Sequence, residues 1–173
     1  MAAVPLPHPD REALPPPRRL HLDDPNASGL LCGHHLSHLR PARRWAAQAL
    51  RSTPCAARPL VAALAELHAN ALAHTASGLP GGRVRIEIER RPALFLLKVT
   101  DDGPRPGTRA PALPEVLHHP ETEIGTGALA EGGYGLALVA SMALYWDFVG
   151  EPGGALTVRA AFARSGRIRD HDR

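Results

Sequence analysis

Residues 59–74 read Pro59-Leu60-Val61-Ala62-Ala63-Leu64-Ala65-Glu66-Leu67-His68-Ala69-Asn70-Ala71-Leu72-Ala73-His74. Leu60, Leu64, Leu67 and Ala71 recur at the spacing of one buried helical stripe. Glu66 and Asn70, four apart, share a different face, and Ala62, Ala63 and Ala73 surround them with small side chains. Two polar groups in a bed of alanines leave room for something to lie against them. The pattern predicts a helix, roughly Pro59 to His74. His68 falls on the Val61/Leu72 side rather than with Glu66 and reads as packed, not catalytic.

Following the chain forward, Gly78-Leu79-Pro80-Gly81-Gly82 is a turn, after which Val84, Ile86 and Ile88 alternate with Arg85, Glu87 and Glu89. That period of two is a half-buried strand. Arg91-Pro92 turns the chain into a second strand, Leu94 to Thr100, which stops at Asp101-Asp102-Gly103-Pro104. Residues 104–132 hold five prolines and few large apolar groups, the composition of a long loop; a loop of that length in a domain is commonly a lid. Leu136 to Ala143 is apolar on every side, as in a buried helix, with Ser141 in the core. Tyr145 to Val149 and Leu156 to Phe162 read as strands about the turn Glu151-Pro152-Gly153-Gly154.

Backwards from Pro59, a loop with Ser52 and Pro54 follows a helix from Pro41 to Arg51, with Pro41 suited to the first turn. A short apolar edge strand is expected from Leu30 to Leu36. Residues 1–28, dense in proline and charge, are expected to lack fixed structure. The folded domain is thus expected over 29–164, with a polar tail at 165–173. There is no internal repeat.

The chain has 173 residues and 44% apolar content, enough for one domain with a core. The net charge is +3, carried almost wholly by scattered arginines, Lys98 being the sole lysine. A nucleic-acid footprint would need Lys/Arg gathered on one face, so no nucleic-acid partner is expected. No basic start leads into an apolar run, and no stretch is apolar enough to span a membrane. With two cysteines, Cys32 and Cys55, a reducing cytoplasmic setting without a disulfide is expected.

Three short motifs occur in order: Glu66-x-x-x-Asn70 on a helix, Asp101-x-Gly103 after a strand, and Gly133-Tyr134-Gly135-Leu136 opening a helix. Their order and spacing resemble the three nucleotide-binding boxes of the gyrase, chaperone, histidine-kinase and mismatch-repair ATPase superfamily. Within it, Glu66-Leu67-His68-Ala69-Asn70-Ala71-Leu72-Ala73-His74 resembles the anti-sigma-factor serine/threonine kinases, over about residues 40–163. The resemblance implies an α/β (α+β) two-layer sandwich, a mixed, mostly antiparallel sheet with about three helices on one face. It also implies ATP and Mg²⁺ as cofactors, a sigma factor and a small antagonist protein as partners, and a homodimer.

The residue types suit that task. The amide oxygen of Asn70 can ligate Mg²⁺, a hard cation, and Glu66 can accept a proton from an attacking hydroxyl as general base. Asp101 can accept from an adenine amino group, and Gly103 lets the backbone approach the base. Gly133, Gly135 and Leu136 precede or open a helix whose free N–H groups can hold phosphate. The resemblance adds Thr157 as the last-strand threonine beside the adenine-binding aspartate. It also matches His74 to a helix-end histidine, expected to make a structural hydrogen bond. Arg105 stands where the family has a glycine, the lid is long, and a lysine usual near the last strand is absent. These departures keep a second reading open, a module that binds ATP only to shape a partner surface. Other candidates fare worse: His34, His35 and His38, or His118 and His119, lack the spacing of a closed metal site. Gly125-Thr126-Gly127-Ala128-Leu129-Ala130 mimics a dinucleotide fingerprint without the preceding strand.

Overall fold

The alternation in residues 83–90 becomes strand β3, Arg83–Arg90, in the computed structural model, which describes residues 15–108 and 133–166. Val84, Ile86 and Ile88 are fully buried, whereas Arg85 between them is exposed. Burying one face and wetting the other fixes the register, because a slip of one residue would invert every side chain. The turn at Arg91–Ala93 returns the chain as β4, Leu94–Thr100, with Ile86 opposite Val99 and Ile88 opposite Leu97. Beyond β4 lies β6, Leu156–Ala163, which sets Phe162 opposite Phe95, Ala160 opposite Leu97 and Val158 opposite Val99. On the other flank β2, Ala27–Gly33, sets Leu30 opposite Ile86 and Cys32 opposite Val84. Strands β1, Arg18–Leu20, and β5, Tyr145–Gly150, form the edges.

The order is β1-β2-β3-β4-β6-β5, so three hairpins lie side by side and every pairing is antiparallel. The expected two-layer sandwich is found, its sheet antiparallel throughout where a mixed, mostly antiparallel one was expected. Two helices in succession join β2 to β3, so the chain reverses three times between them and the pair is antiparallel; a single helix, with two reversals, would have made it parallel. The helices are α1, Leu39–Ala49, α2, Pro54–His74, and later α3, Gly133–Met142. They cover one face of the sheet: α2 rests on β3, β4 and β6, α1 on β2 and α2, and α3 on α2 and β5. The core lies between the layers, with Leu60 and Leu64 of α2 against the apolar row of the strands. Across the other face runs a row of charges, Glu87 opposite Lys98, Lys98 opposite Arg159, and Arg159 opposite Asp147. Ion pairs join Arg85 to Glu87, Lys98 and Arg91 to Glu89, and Arg159 to Asp147.

Several boundaries differ from the expectation, each for a local reason. Residues 18–20 and 27–28 are strand, although residues 1–28 were expected to lack structure. The reversal between β1 and β2 is closed by Asp24, whose Oδ1 accepts from Asn26 N–H at 2.8 Å and whose carbonyl accepts from Ala27 N–H at 2.9 Å. Strand β2 ends at Gly33, and Leu36, expected to belong to it, is 65% exposed in a single 3-10 turn. Helix α2 starts five residues before Pro59, because Thr53 caps it (Oγ1 accepts from Ala56 N–H, 3.3 Å) and Pro54 fits its first turn. Pro59 removes only the donor for the carbonyl of Cys55, a residue exposed to solvent in that first turn, so the helix runs through it. Helix α3 is not buried all round: Leu138 is 40% exposed, and Ser141, expected in the core, is exposed with its hydroxyl bonded to the Leu138 carbonyl at 2.8 Å. The expected tails at 1–14 and 167–173 and the lid residues 109–132 lie outside the described residues. Among those described, no helix is long and apolar enough to cross a membrane.

Candidate functional site

On helix α2 Ala65, Glu66, Ala69 and Asn70 are half-buried, and Glu66 and Asn70 face the start of α3. The two helices approach closely at Gly135. A β-carbon built there would stand 2.9 Å from Nδ2 of Asn70, 3.2 Å from Oε2 of Glu66 and 3.5 Å from Cβ of Glu66. Two motifs separated by more than sixty residues of sequence therefore meet at one point, and glycine is the residue that lets them. Gly133 and Gly135 do not precede the helix, as expected, but form its first turn. The amides of that turn have no partner within the helix, which gives its end a partial positive charge beside the Glu66 carboxylate. Leu136, expected at the ligand, is half-buried with its side chain packed against the core, and its backbone N–H is among those of the first turn.

The second cluster is built around Asp101, just past the end of β4. Its N–H continues the ladder to the Leu156 carbonyl at 2.9 Å, and its Oδ1 accepts from Gly103 N–H (2.6 Å) and Leu156 N–H (3.4 Å). Among the described residues nothing donates to Oδ2, so one carboxylate oxygen remains for an incoming N–H. Burial raises the Asp101 pKa above the ordinary 3.8, with Asp102 adding to the rise and the two amide donors opposing it. Gly103 has φ +83°, and a β-carbon there would lie 2.5 Å from the Gly154 carbonyl oxygen. Both conditions exclude a side chain.

Thr157 does not belong with Asp101. The residue facing Asp101 across the sheet is Leu156, whereas Thr157 pairs with Thr100, hydroxyl to hydroxyl at 2.8 Å. Val99 and Val158 point to the helices, so by strand alternation Thr100 and Thr157 point away.

Three residues that the motifs did not indicate hold this second cluster. Ser77, fully buried, donates to the Arg83 carbonyl (2.6 Å) and accepts from Asp102 N–H (2.9 Å). Asp102 in turn accepts from Arg83 N–H at 2.6 Å. Arg105 donates to carbonyls at the end of α2, through Nε to Thr75 (3.1 Å) and through Nη2 to Ala73 (2.7 Å) and Leu72 (3.3 Å). The sequence signal for Arg105 was its place in a glycine position; for Ser77 there was none.

His38 accepts from Gly33 N–H at 2.8 Å, and His35 accepts from Ser37 N–H at 3.2 Å. Among the described residues no three metal-ligating groups converge, and His74 is exposed without the hydrogen bond expected of it. His118, His119 and the glycines of 125–127 lie outside the described residues. His68 is fully buried, with neither ring nitrogen partnered. Cys32 and Cys55 are unpaired, and burial pushes the Cys32 thiol up to about 12.

A family model described as histidine kinase-like ATPase domain matches residues 34–160, a span holding all three motifs. No curated protein matches the chain.

Proposed function

Because the chain belongs to the histidine kinase-like ATPase domain family, we propose that it binds Mg-ATP and phosphorylates a serine or threonine of a small antagonist protein. In this reading it also holds a sigma factor and acts in the cytoplasm. The observation that carries the reading is the seat of Gly135 against both Glu66 and Asn70 at the first turn of α3. It gives a carboxylate, an amide and free helix amides one common location, which suits a phosphate chain and its cation.

The roles follow from the groups. Asn70 turns Nδ2 to Gly135, which leaves its Oδ1 for the cation. The first-turn amides of α3 hold phosphate oxygens. Asp101 takes the adenine amino group on its open Oδ2, while Gly103 keeps that approach clear. Glu66 accepts the proton of the attacking hydroxyl. Bound Mg-ATP supplies the phosphoryl group and a metal that offsets the charge of its transfer.

Glu66→Gln tests the assignment, since the amide keeps the size of the side chain but cannot take a proton. ATP affinity should stay near wild type while phosphate transfer to the antagonist falls by about 10²–10⁴-fold. A wild-type protein that transfers nothing, yet binds a sigma factor more tightly with ATP, would make it a binding module. Arg105 in the glycine position is the feature that favours that second reading.

A further inference from the structure

Arg105 stands two residues beyond Gly103, and no carboxylate pairs with it among the described residues. Its guanidinium instead spans the carbonyls of Leu72, Ala73 and Thr75, at 3.3, 2.7 and 3.1 Å. These belong to the end of α2, where carbonyls lack helical donors and the helix carries partial negative charge. A planar fork can serve several such acceptors at once; an ammonium cannot hold the same arrangement.

The same segment is joined at two further points. Ala76 N–H donates to the Gly103 carbonyl at 2.8 Å, and Thr75 forms a bridge with Pro104. The Asp101–Gly103 turn is thus held from both sides, by β6 through Leu156 and by the end of α2 through Arg105. Asn70 and Glu66 lie on that helix, one and two turns before the carbonyls that Arg105 grips.

We infer that Arg105 is a positioning residue: its grip on the end of α2 fixes the turn that aims Oδ2 of Asp101, and so sets the preference for adenine over guanine. This rests on the nucleotide reading above. Without the grip the turn keeps its bonds to Leu156, Ser77, Arg83 and Ala76 but loses the side-chain tie to the carbonyls of α2, and it can pivot about what remains. Guanine presents a carbonyl where adenine presents an amino group, so a carboxylate held in one direction rejects it, and a pivoting one rejects it less.

The test uses the full chain with Arg105→Ala and Arg105→Lys. Two quantities are read: amide exchange at Gly103 and Ala76 without nucleotide, and the ratio of Kd for GTP to Kd for ATP. In Arg105→Ala the two amides should exchange about tenfold faster while those of β3 keep their rates, and the GTP/ATP ratio should shrink about tenfold, as for the loss of one charge-assisted hydrogen bond. Arg105→Lys, which keeps the charge without the fork, should fall between. Unchanged exchange at Gly103 and Ala76 overturns the grip, whatever the wild type binds. Faster exchange with an unchanged ratio overturns the positioning role and leaves a plain helix cap. Failure of the underlying nucleotide reading shows separately, as a wild type that binds neither nucleotide.

Discussion

Lowering the pH should destabilise this protein through His68, by an amount that follows from its surroundings. The imidazole is fully buried on α2 with both nitrogens unpartnered, and burial, with a smaller contribution from His38, takes its pKa from the ordinary 6.5 to about 4. The folded protein therefore holds His68 neutral, while the unfolded chain takes up a proton below 6.5. The stability tied to the neutral ring is complete above pH 6.5 and drains away as pH falls towards 4. At about 1.4 kcal/mol per pH unit for one proton, the interval amounts to ~3 kcal/mol. Domains of this size are stable by about 5–15 kcal/mol in all, so the loss is a large fraction.

Urea unfolding of wild type and His68→Leu at steps from pH 7.5 to 4 isolates the effect. Leucine removes the proton site and the two unpaired nitrogens together, so the variant should be no less stable than wild type at pH 7. The stability of the variant relative to wild type should then grow by ~3 kcal/mol down to pH 4, with the slope approaching one proton. His38, whose pKa burial also lowers, is present in both proteins and cancels in the difference apart from its smaller coupling to His68. A difference that stays flat between pH 7 and 4.5 refutes the reasoning, as does a loss of several kcal/mol in the variant at pH 7. Either would mean that the ring has a partner.

Gly135→Ala would put its methyl 2.9 Å from Asn70 Nδ2, the end of a side chain that can swing aside. Its melting temperature should therefore fall by no more than a few degrees while Mg-ATP stabilisation in a thermal-shift titration is lost. Thr157→Val removes only the hydroxyl pair with Thr100 on the charged face. It should cost about 1 kcal/mol of stability and leave ATP affinity unchanged; a large loss of affinity would return Thr157 to the site.

Much of this arrangement is legible in the amino-acid sequence. The leucine stripe of α2 and the alternation of Val84, Ile86 and Ile88 are strong periodic signals, and they place Glu66 and Asn70 on a helix beside a sheet. What escaped the reading depends on pairing. Whether Leu156 or Thr157 faces Asp101 is a matter of one residue of register, and only the partner strand decides it. The meeting of Gly135 with Asn70 is a distance between helices, which no local pattern encodes. Prolines hid the first strand, since three residues carry too little alternation to stand out beside Pro15, Pro16 and Pro17, although Asp24-Pro25-Asn26 spelled a turn. Thr53-Pro54 was likewise a helix start that a loop reading passed over.

The three-hairpin layout of the sheet also says something about how the chain reaches it. Within each hairpin the paired residues are close in sequence, so β1–β2, β3–β4 and β5–β6 can zip early and independently. The two seams between hairpins join distant residues, Gly33 to Arg83 and Thr100 to Thr157, and closing such loops slows folding. Helix α2 rests on β3 and β4 and on β6 beyond the second seam. Its docking and the closing of that seam are then one late event. Glu66 and Asn70 ride on that helix, and Asp101 receives its N–H partner from Leu156 only once the seam is shut. A nascent chain carrying every hairpin therefore lacks the site until this last step, and nucleotide added during refolding should be captured with the slow phase rather than the fast one.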